Sequence, residues 1–232
     1  QVQHAQGNED TAIALVIKTS LNDTDGSETQ HLIISGVPAE ATLNQGAKQT
    51  DGTWRLLPSQ LAGLTVTPPT NSGDDFTLTV TSYATEAENS DLATSSETLN
   101  VTVNAVADTP NLQVQHAQGN EDTAIALTIS TSLNDTDGSE TQYLIISGMP
   151  AEATLNQGAK QTDGTWRLLP SQLAGLTVTP PTNSGDDFTL TVTSYATEGE
   201  NSDVATSTDT INVTVNAVAD TPNLQVQAAQ GN

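Results

Sequence analysis

The sequence predicts an all-β protein made of two tandem β-sandwiches, and three observations carry that prediction. The first is a repeat of domain length. Gln1–Asn8 recurs at Gln113–Asn120 and, with one change, at Gln225–Asn232, so the 232 residues hold two periods of 112 and the first eight residues of a third. A period this long is a whole domain rather than a solenoid unit. The second is strict alternation of apolar and polar residues in several short runs, the mark of half-buried antiparallel strands. The third is turn chemistry at short intervals, with Gly, Pro, Asp and Asn between the runs. About seven short strands per period point to an immunoglobulin-like sandwich.

Each element follows in order. Val2–Gln6 is a short first strand. Thr11–Lys18 alternates, with Ile13, Leu15 and Ile17 on one face. Nine positions differ between the periods, and Val16/Thr128 and Lys18/Ser130 fall opposite that stripe, where water accepts either residue. Shorter strands are expected at Gln30–Gly36, Ala41–Asn44, Thr53–Leu57 and Leu64–Thr67. Asp51-Gly52 is a hairpin turn signal. Pro58–Gly63 reads as one helical turn closed by glycine, and Pro68-Pro69 ends a strand. Phe76–Thr81 and Leu99–Asn104 alternate cleanly. Trp54 and Trp166, one per period, are core anchors. The domains are expected at 1–108 and 109–220, with 221–232 a frayed first strand of a third repeat. The ends fall within the pattern, as if cut from a longer array. The linker Asn104–Pro110, recurring at Asn216–Pro222, carries a proline that stops the preceding strand and stiffens the connection.

Charge narrows the function. Five Lys and Arg against 28 Asp and Glu leave a net charge of −23. That excludes nucleic acid as a partner, because phosphate contacts need clustered cations. It also excludes docking on an anionic membrane through a basic patch. No apolar run is long enough for membrane insertion of this segment. There is no cysteine, hence no disulfide framework and no thiolate metal site.

The acids gather in the loops and leave the strands almost uncharged. In the first period they are Asp51, Glu88 and Asp91 and, as candidate metal ligands, Glu9, Asp10, Asp23, Asp25, Glu28, Asp74, Asp75, Glu86 and Asp108. The counterparts of those candidates in the second are Glu121, Asp122, Asp135, Asp137, Glu140, Asp186, Asp187, Glu198 and Asp220. A sandwich puts its loops at two poles. With Val2–Gln6 and Thr11–Lys18 as two reversing strands, Glu9, Asp10, Asp74, Asp75 and Asp108 fall at the trailing pole of the first domain; as one broken strand, they would instead put the Asp23–Glu28 loop at that pole. Asp135, Asp137, Glu140 and Glu198 fall at the leading pole of the second. Each joint between neighbouring repeats should therefore collect both sets. Two carboxylates about 4 Å apart repel by about 1 kcal/mol even in bulk water. A hard cation that takes roughly six to eight oxygens relieves this, which points to Ca²⁺ rather than Mg²⁺ or Zn²⁺. The loops match neither an EF-hand nor a nonapeptide calcium repeat. The competing reading is a solvated acidic surface that keeps the protein soluble.

The order of these motifs is similar to cadherin-like domains. More closely, Glu9–Leu15, Asp23–Glu28 and Leu61–Pro69 resemble the extender repeats of giant bacterial RTX adhesins. The resemblance implies secretion to the bacterial cell surface and calcium-rigidified joints. It implies a spacer that projects a ligand-binding region for attachment and biofilm formation. Carried over by position, the implied joint ligands are Glu9, Asp74, Asp75 and Asp108 with Asp135, Asp137 and Glu198. The linker departs from classical cadherins in holding one Asp where they carry several acids.

Two other functions compete. An enzyme is disfavoured, because His4, His31 and His116 do not recur at equivalent places in every repeat and no nucleophile–His set exists. A calcium-dependent carbohydrate- or peptide-binding module would need an exposed aromatic near the acidic loops, for which Tyr83 and Tyr143 are the candidates. Strands of about ten residues span roughly 33 Å, so each domain should add some 40 Å to a spacer.

Overall fold

A computed structural model describes residues 2–23 and 25–228. Gln1, Thr24 and the last four residues of the expected orphan strand lie outside them. The chain forms two compact units. The first takes in residues through Ala107 together with Asp135–Glu140 and Glu198–Val204. The second takes in Asp108–Asn134, Thr141–Thr197 and the residues from Ala205 on.

The first unit is a two-layer sandwich. Its strands are β1 (Ala5–Asn8), β2 (Ile13–Ala14), β3 (Glu28–Ser35), β4 (Thr42–Leu43), β5 (Ala47–Lys48), β6 (Trp54–Leu56), β7 (Thr65–Thr67), β8 (Phe76–Glu86) and β9 (Leu92–Asn104). One sheet has the order β1-β9-β8-β3-β6-β5 and the other β2-β7-β4. All pairings are antiparallel except β1 with β9, which run parallel from Ala5↔Val101 to Asn8↔Asn104.

The core sits between the sheets. Ile13, Leu43 and Val66 from the small sheet meet Leu32, Ile34, Leu56, Leu78 and Val101 from the large one. Ile34, Val66 and Leu78 have no exposed surface, and each such side chain contributes about 1.5–3 kcal/mol by leaving water. The expected stripe holds: Ile13, Leu15 and Ile17 are buried while Val16 is 46% exposed. Trp54 and Trp166 belong to the two cores, as anticipated. The single turn after β6 is a 3-10 turn at Pro58–Gln60, with the Gln60 side chain accepting from the Leu57 N–H at 2.9 Å. Gly36 has φ +81°, and a Cβ there would collide with the Thr77 carbonyl, so the turn after β3 requires glycine.

The second unit repeats this plan. Its strands are β10 (Asn111–Gln115), β11 (Ala117–Asn120), β12 (Ile125–Ala126), β13 (Thr128–Ser132), β14 (Glu140–Ser147), β15 (Thr154–Leu155), β16 (Ala159–Lys160), β17 (Trp166–Leu168), β18 (Thr177–Thr179), β19 (Phe188–Glu198) and β20 (Val204–Asn216). The sheets are β11-β20-β19-β14-β17-β16 and β12-β18-β15, with β10 paired to β13 as a separate ribbon.

Three expectations needed correcting. The last strand starts at Leu92 and Val204, not at Leu99: Leu92–Thr98 continues the antiparallel pairing with β8 although its side chains are all exposed and show no buried stripe. The first strand is broken in two: in the second period its first half pairs antiparallel with β13 and its second half parallel with β20. The two-residue strands Ala47–Lys48 and Ala159–Lys160 were not among the expected strands, although the Asp51-Gly52 hairpin signal marks the turn that joins the first of them to β6. Residues 217–228 carry no strand.

Candidate functional site

The parallel β1–β9 pairing carries the chain directly to the acidic groups at one end of the first unit. Glu9 follows β1, and its N–H donates to the Asn104 carbonyl at 3.0 Å. Its side chain turns back, so that Oε1 accepts from the Val106 N–H at 2.6 Å. Glu9 is 5% exposed. Asp75, just before β8, accepts from the Val103 N–H at 2.8 Å. Asp10 accepts from the Asn71 N–H at 2.9 Å. Asp10 and Asp75 are exposed, as is Asp74. Of the groups expected at one pole, Glu9 and Asp75 thus bond the last residues of β9 and Val106 just beyond it, and Asp10 bonds the turn at Asn71. Asp108 lies in the second unit.

The segments Asp135–Glu140 and Glu198–Val204 complete this end of the first unit. The Ala107 N–H donates to Asp203 Oδ2 at 3.1 Å, and Asn201 Nδ2 donates to the Ala105 carbonyl at 2.6 Å. Within the segments, Asp135 Oδ1 accepts from the Asp137 N–H and Asp137 Oδ1 from the Ser139 N–H. The Ser139 hydroxyl lies 3.2 Å from both Asp135 Oδ2 and Glu198 Oε1. Asp135, Glu140 and Glu198 are 4%, 7% and 1% exposed. The other oxygen of Glu198, Oε2, is buried with no hydrogen-bond partner.

Burial first, and then like charge, explains the electrostatics. Burial pushes the Glu9 carboxyl up; the Val106 N–H opposes this, and Asp10, Glu198 and Asp135 push it further. Burial pushes Glu198 up as well, against the Ser139 hydroxyl and with Asp135, Asp137 and Glu200 adding to the rise. Glu9, Asp135 and Glu198 therefore sit close enough to feel one another's charge. The donors are hard oxygens only, which suits Ca²⁺ and not Zn²⁺. Among the described residues, however, no three carboxylate or imidazole side chains stand together as a ready-made metal cage.

The remaining site residues fall elsewhere. Glu28 pairs in register with Glu86 at the other end of the first sandwich, where the Ser27 hydroxyl donates to Glu86 Oε2 at 3.3 Å. Asp23 and Asp25 line the neighbouring turn and are exposed. Backbone and side-chain bonds from Ser27 hold the Asp25 carboxyl below its usual range. In the second unit, Glu121 repeats the Glu9 geometry, with Oε1 accepting from the Val218 N–H at 2.6 Å. Asp122 accepts from the Asn183 N–H and Asp187 from the Val215 N–H. Asp186, Asp187 and Asp220 are exposed. The sequence reading missed Asn201 and Asp203 as site residues. Their counterparts Asn89 and Asp91 repeat the local bond from the aspartate N–H to the Asn side chain, which was the available signal.

The two candidate aromatics are half-buried on the outer face of the large sheets. Tyr83 stacks on His31, with ring centres 5.0 Å apart. Tyr143 stacks on Tyr195 at 4.8 Å, and the Arg167 guanidinium sits 4.2 Å over the Tyr143 ring.

No family model matches the chain, and no curated protein does. Solved structures similar to it include chicken VE-cadherin EC1-2, at 12% identity over 92% of this chain and 97% of that one, with a TM-score of 0.29. Murine CEACAM1b is 15% identical over 93% and 100%, also with a TM-score of 0.29. Drosophila N-cadherin EC1-4 is 14% identical over 92% of this chain and 48% of that one, with a TM-score of 0.28. These TM-scores are low, and the β-sandwich assignment stands on the strand pairing described above.

Proposed function

We propose that this chain is a calcium-rigidified extender segment of a secreted bacterial surface adhesin, and not an enzyme. Its partners in this reading are the neighbouring repeats of the same polypeptide. One observation supports it above the rest. Glu198 is 1% exposed, has a buried oxygen without a hydrogen-bond partner, and lies among the charges of Glu9, Asp135 and Asp137. An arrangement of that kind is costly unless a positive charge joins it. Bound calcium would supply that charge. Glu9, Asp135, Asp137 and Glu198 would hold it, with Asp74, Asp75 and Asp108 as the further acids carried by the resemblance. Residues 105–107, already bonded to Asn201 and Asp203, tie the linker to the same loops.

Repetition favours a spacer over a recognition module. Copies add reach, whereas recognition needs one site, and position 31 changes from His to Tyr143 between periods. Small-angle scattering in calcium and in chelator tests the proposal. A spacer should lose stiffness in chelator, seen as a broader distribution of interatomic distances. Identical curves would leave the acids as a solvated surface. A glycan or peptide array should give no calcium-dependent hits.

A further inference from the structure

We propose that Tyr143 and Tyr195 form an oxidative cross-linking site, which a haem peroxidase with hydrogen peroxide closes into a carbon–carbon staple inside the second sandwich. The two side chains share one rung of the large sheet. Their counterparts in the first sandwich, His31 and Tyr83, pair in register across β3 and β8, and Tyr143 on β14 and Tyr195 on β19 take the same places. Their rings stack with centres 4.8 Å apart and planes 2° from parallel. The Arg167 guanidinium lies 4.2 Å over the Tyr143 ring. Tyr143 is thus held between a cation and a second ring, which fixes its plane against Tyr195. Both tyrosines are half-buried, on the face opposite the buried Leu144 and Val192.

Oxidation has few other places to go in this chain. There is no cysteine and one methionine. That residue, Met149, packs against the second core, and Trp54 and Trp166 are buried. The third tyrosine, Tyr83, stacks on His31 and so has no second phenol beside it.

The step balances. Each phenol gives up one electron and its hydroxyl proton, leaving two phenoxyl radicals whose spin is shared with the ring carbons beside the oxygen. One such carbon on each ring joins the other through the two unpaired electrons. The hydrogen on each joined carbon then leaves as a proton and a proton returns to each oxygen, so both rings recover their aromaticity and their hydroxyls. Hydrogen peroxide takes up the two electrons and two protons and becomes two waters. The rings need only tilt toward each other from the stack, and the outer face leaves room for that. Holding the rings in contact makes coupling within one chain much faster than between chains, and copies that each carry a charge of −23 repel one another. The bond joins residues 52 positions apart in sequence. It takes closure freedom from the unfolded chain, as a disulfide does in proteins that have cysteine.

Treating the 232-residue chain with haem peroxidase and hydrogen peroxide tests this, read by intact mass and peptide mapping. The wild type should lose two hydrogens, stay monomeric and yield one linked peptide pair containing Tyr143 and Tyr195. Tyr143→His, which copies the first sandwich, and Tyr195→Phe should each lose none. Both keep a ring at the rung, and circular dichroism checks that they fold. His31→Tyr works in the other direction: it gives Tyr83 a phenol partner and should double the hydrogen loss. A wild type that loses no hydrogens overturns the proposal. So does a link that persists in either tyrosine variant, a product made mainly of two chains joined at Tyr83, or a His31→Tyr chain that gains no second link. Calcium enters none of these outcomes, so this proposal and the spacer reading fail separately.

Discussion

The loops Asp23–Glu28 and Asp135–Glu140 have the same six residues, and each stands beside a strand-end glutamate, Glu86 or Glu198. They share three internal bonds, and the Ser139 hydroxyl adds a fourth to Asp135 Oδ2. The second Asp donates its N–H to the first, the Ser donates its N–H to the second Asp, and the Ser hydroxyl reaches the glutamate. Their surroundings are not. Asp23 is exposed and Glu86 half-buried, whereas Asp135 is 4% and Glu198 1% exposed. Local sequence thus fixes the conformation of the loop, and what packs against it fixes the electrostatic state. Beside the second loop, Ala105 and Ala107 bond Asn201 and Asp203, and the Glu9 carboxylate lies within range of the charges of Asp135 and Glu198.

Calcium removal should break that comparison most strongly. An ion held at about 100-fold above its Kd adds about 2.7 kcal/mol. Since about 1 kcal/mol moves the Tm of a domain of ~100 residues by ~4–8 °C, chelator should lower melting by ~10–20 °C. Differential scanning calorimetry checks this, and an unchanged trace would remove the metal from the account. Next in size is a matched pair of substitutions. In chelator, Glu198→Gln removes a buried charge whose one oxygen lacks a partner, and it should stabilise by about 1–3 kcal/mol. In calcium the same variant should lose most of the metal-dependent gain. Glu86→Gln, in the open copy, should stay within about 0.5 kcal/mol under both conditions. If the two variants behave alike, burial is not what separates the sites.

The pH dependence without metal follows from the same contrast. Glu9 and Glu198 are pushed above the ordinary glutamate value of 4.5 by burial and like charge. A raised folded-state pKa means that the folded form takes up protons first. Stability should then increase as pH falls through the raised values, with the gain complete near 4.5. Further acidification should reverse the trend, because Asp25, Asp51 and Asp163 are held below 3.8 by hydrogen bonds from the residues that follow them. Their contribution is present above 3.8 and fades as pH falls through the lowered values. Urea midpoints in chelator should therefore peak in mild acid, and a steady decline from neutral pH would contradict the burial of Glu9 and Glu198.

Much of this was legible beforehand, and the exceptions have physical reasons. Ile13, Leu15 and Ile17 alternate with polar partners, so their common face was readable from period alone. Leu92–Thr98 was not readable as strand, because its residues are polar and its support is backbone pairing plus hydroxyl contacts such as Thr81 to Ser96 at 2.8 Å. The clustering of acids at strand ends was visible in the sequence. The difference between Glu86 and Glu198 could not be, since their local sequences agree and only tertiary neighbours differ. Asn201 and Asp203 escaped for the same reason: their counterparts Asn89 and Asp91 make the local bond but lack the second set of contacts.

The smallest expected effect concerns the one residue beside these loops that does differ. Ala87 follows Glu86, while Gly199 follows Glu198. Both N–H groups donate to the serine carbonyl across the turn, at 3.0 and 3.1 Å. A Cβ built on Gly199 would stand 3.0 Å from the Ser139 carbonyl oxygen, a tight contact the open copy accommodates with an alanine. Gly199→Ala would also reduce the freedom of the unfolded chain, which favours folding by ~0.4–1 kcal/mol where the conformation is compatible. The two effects oppose each other. In the exposed copy the carbonyl has room to shift; at Gly199 it belongs to a loop held on both sides. The net change for Gly199→Ala should therefore lie within about 1 kcal/mol and fall on the destabilising side, while Ala87→Gly should cost about 0.5 kcal/mol through backbone entropy alone. Chemical denaturation of the two single variants reads both. A clear stabilisation by Gly199→Ala would mean that the packed loop yields as easily as the open one, and that the two copies differ in solvation but not in stiffness.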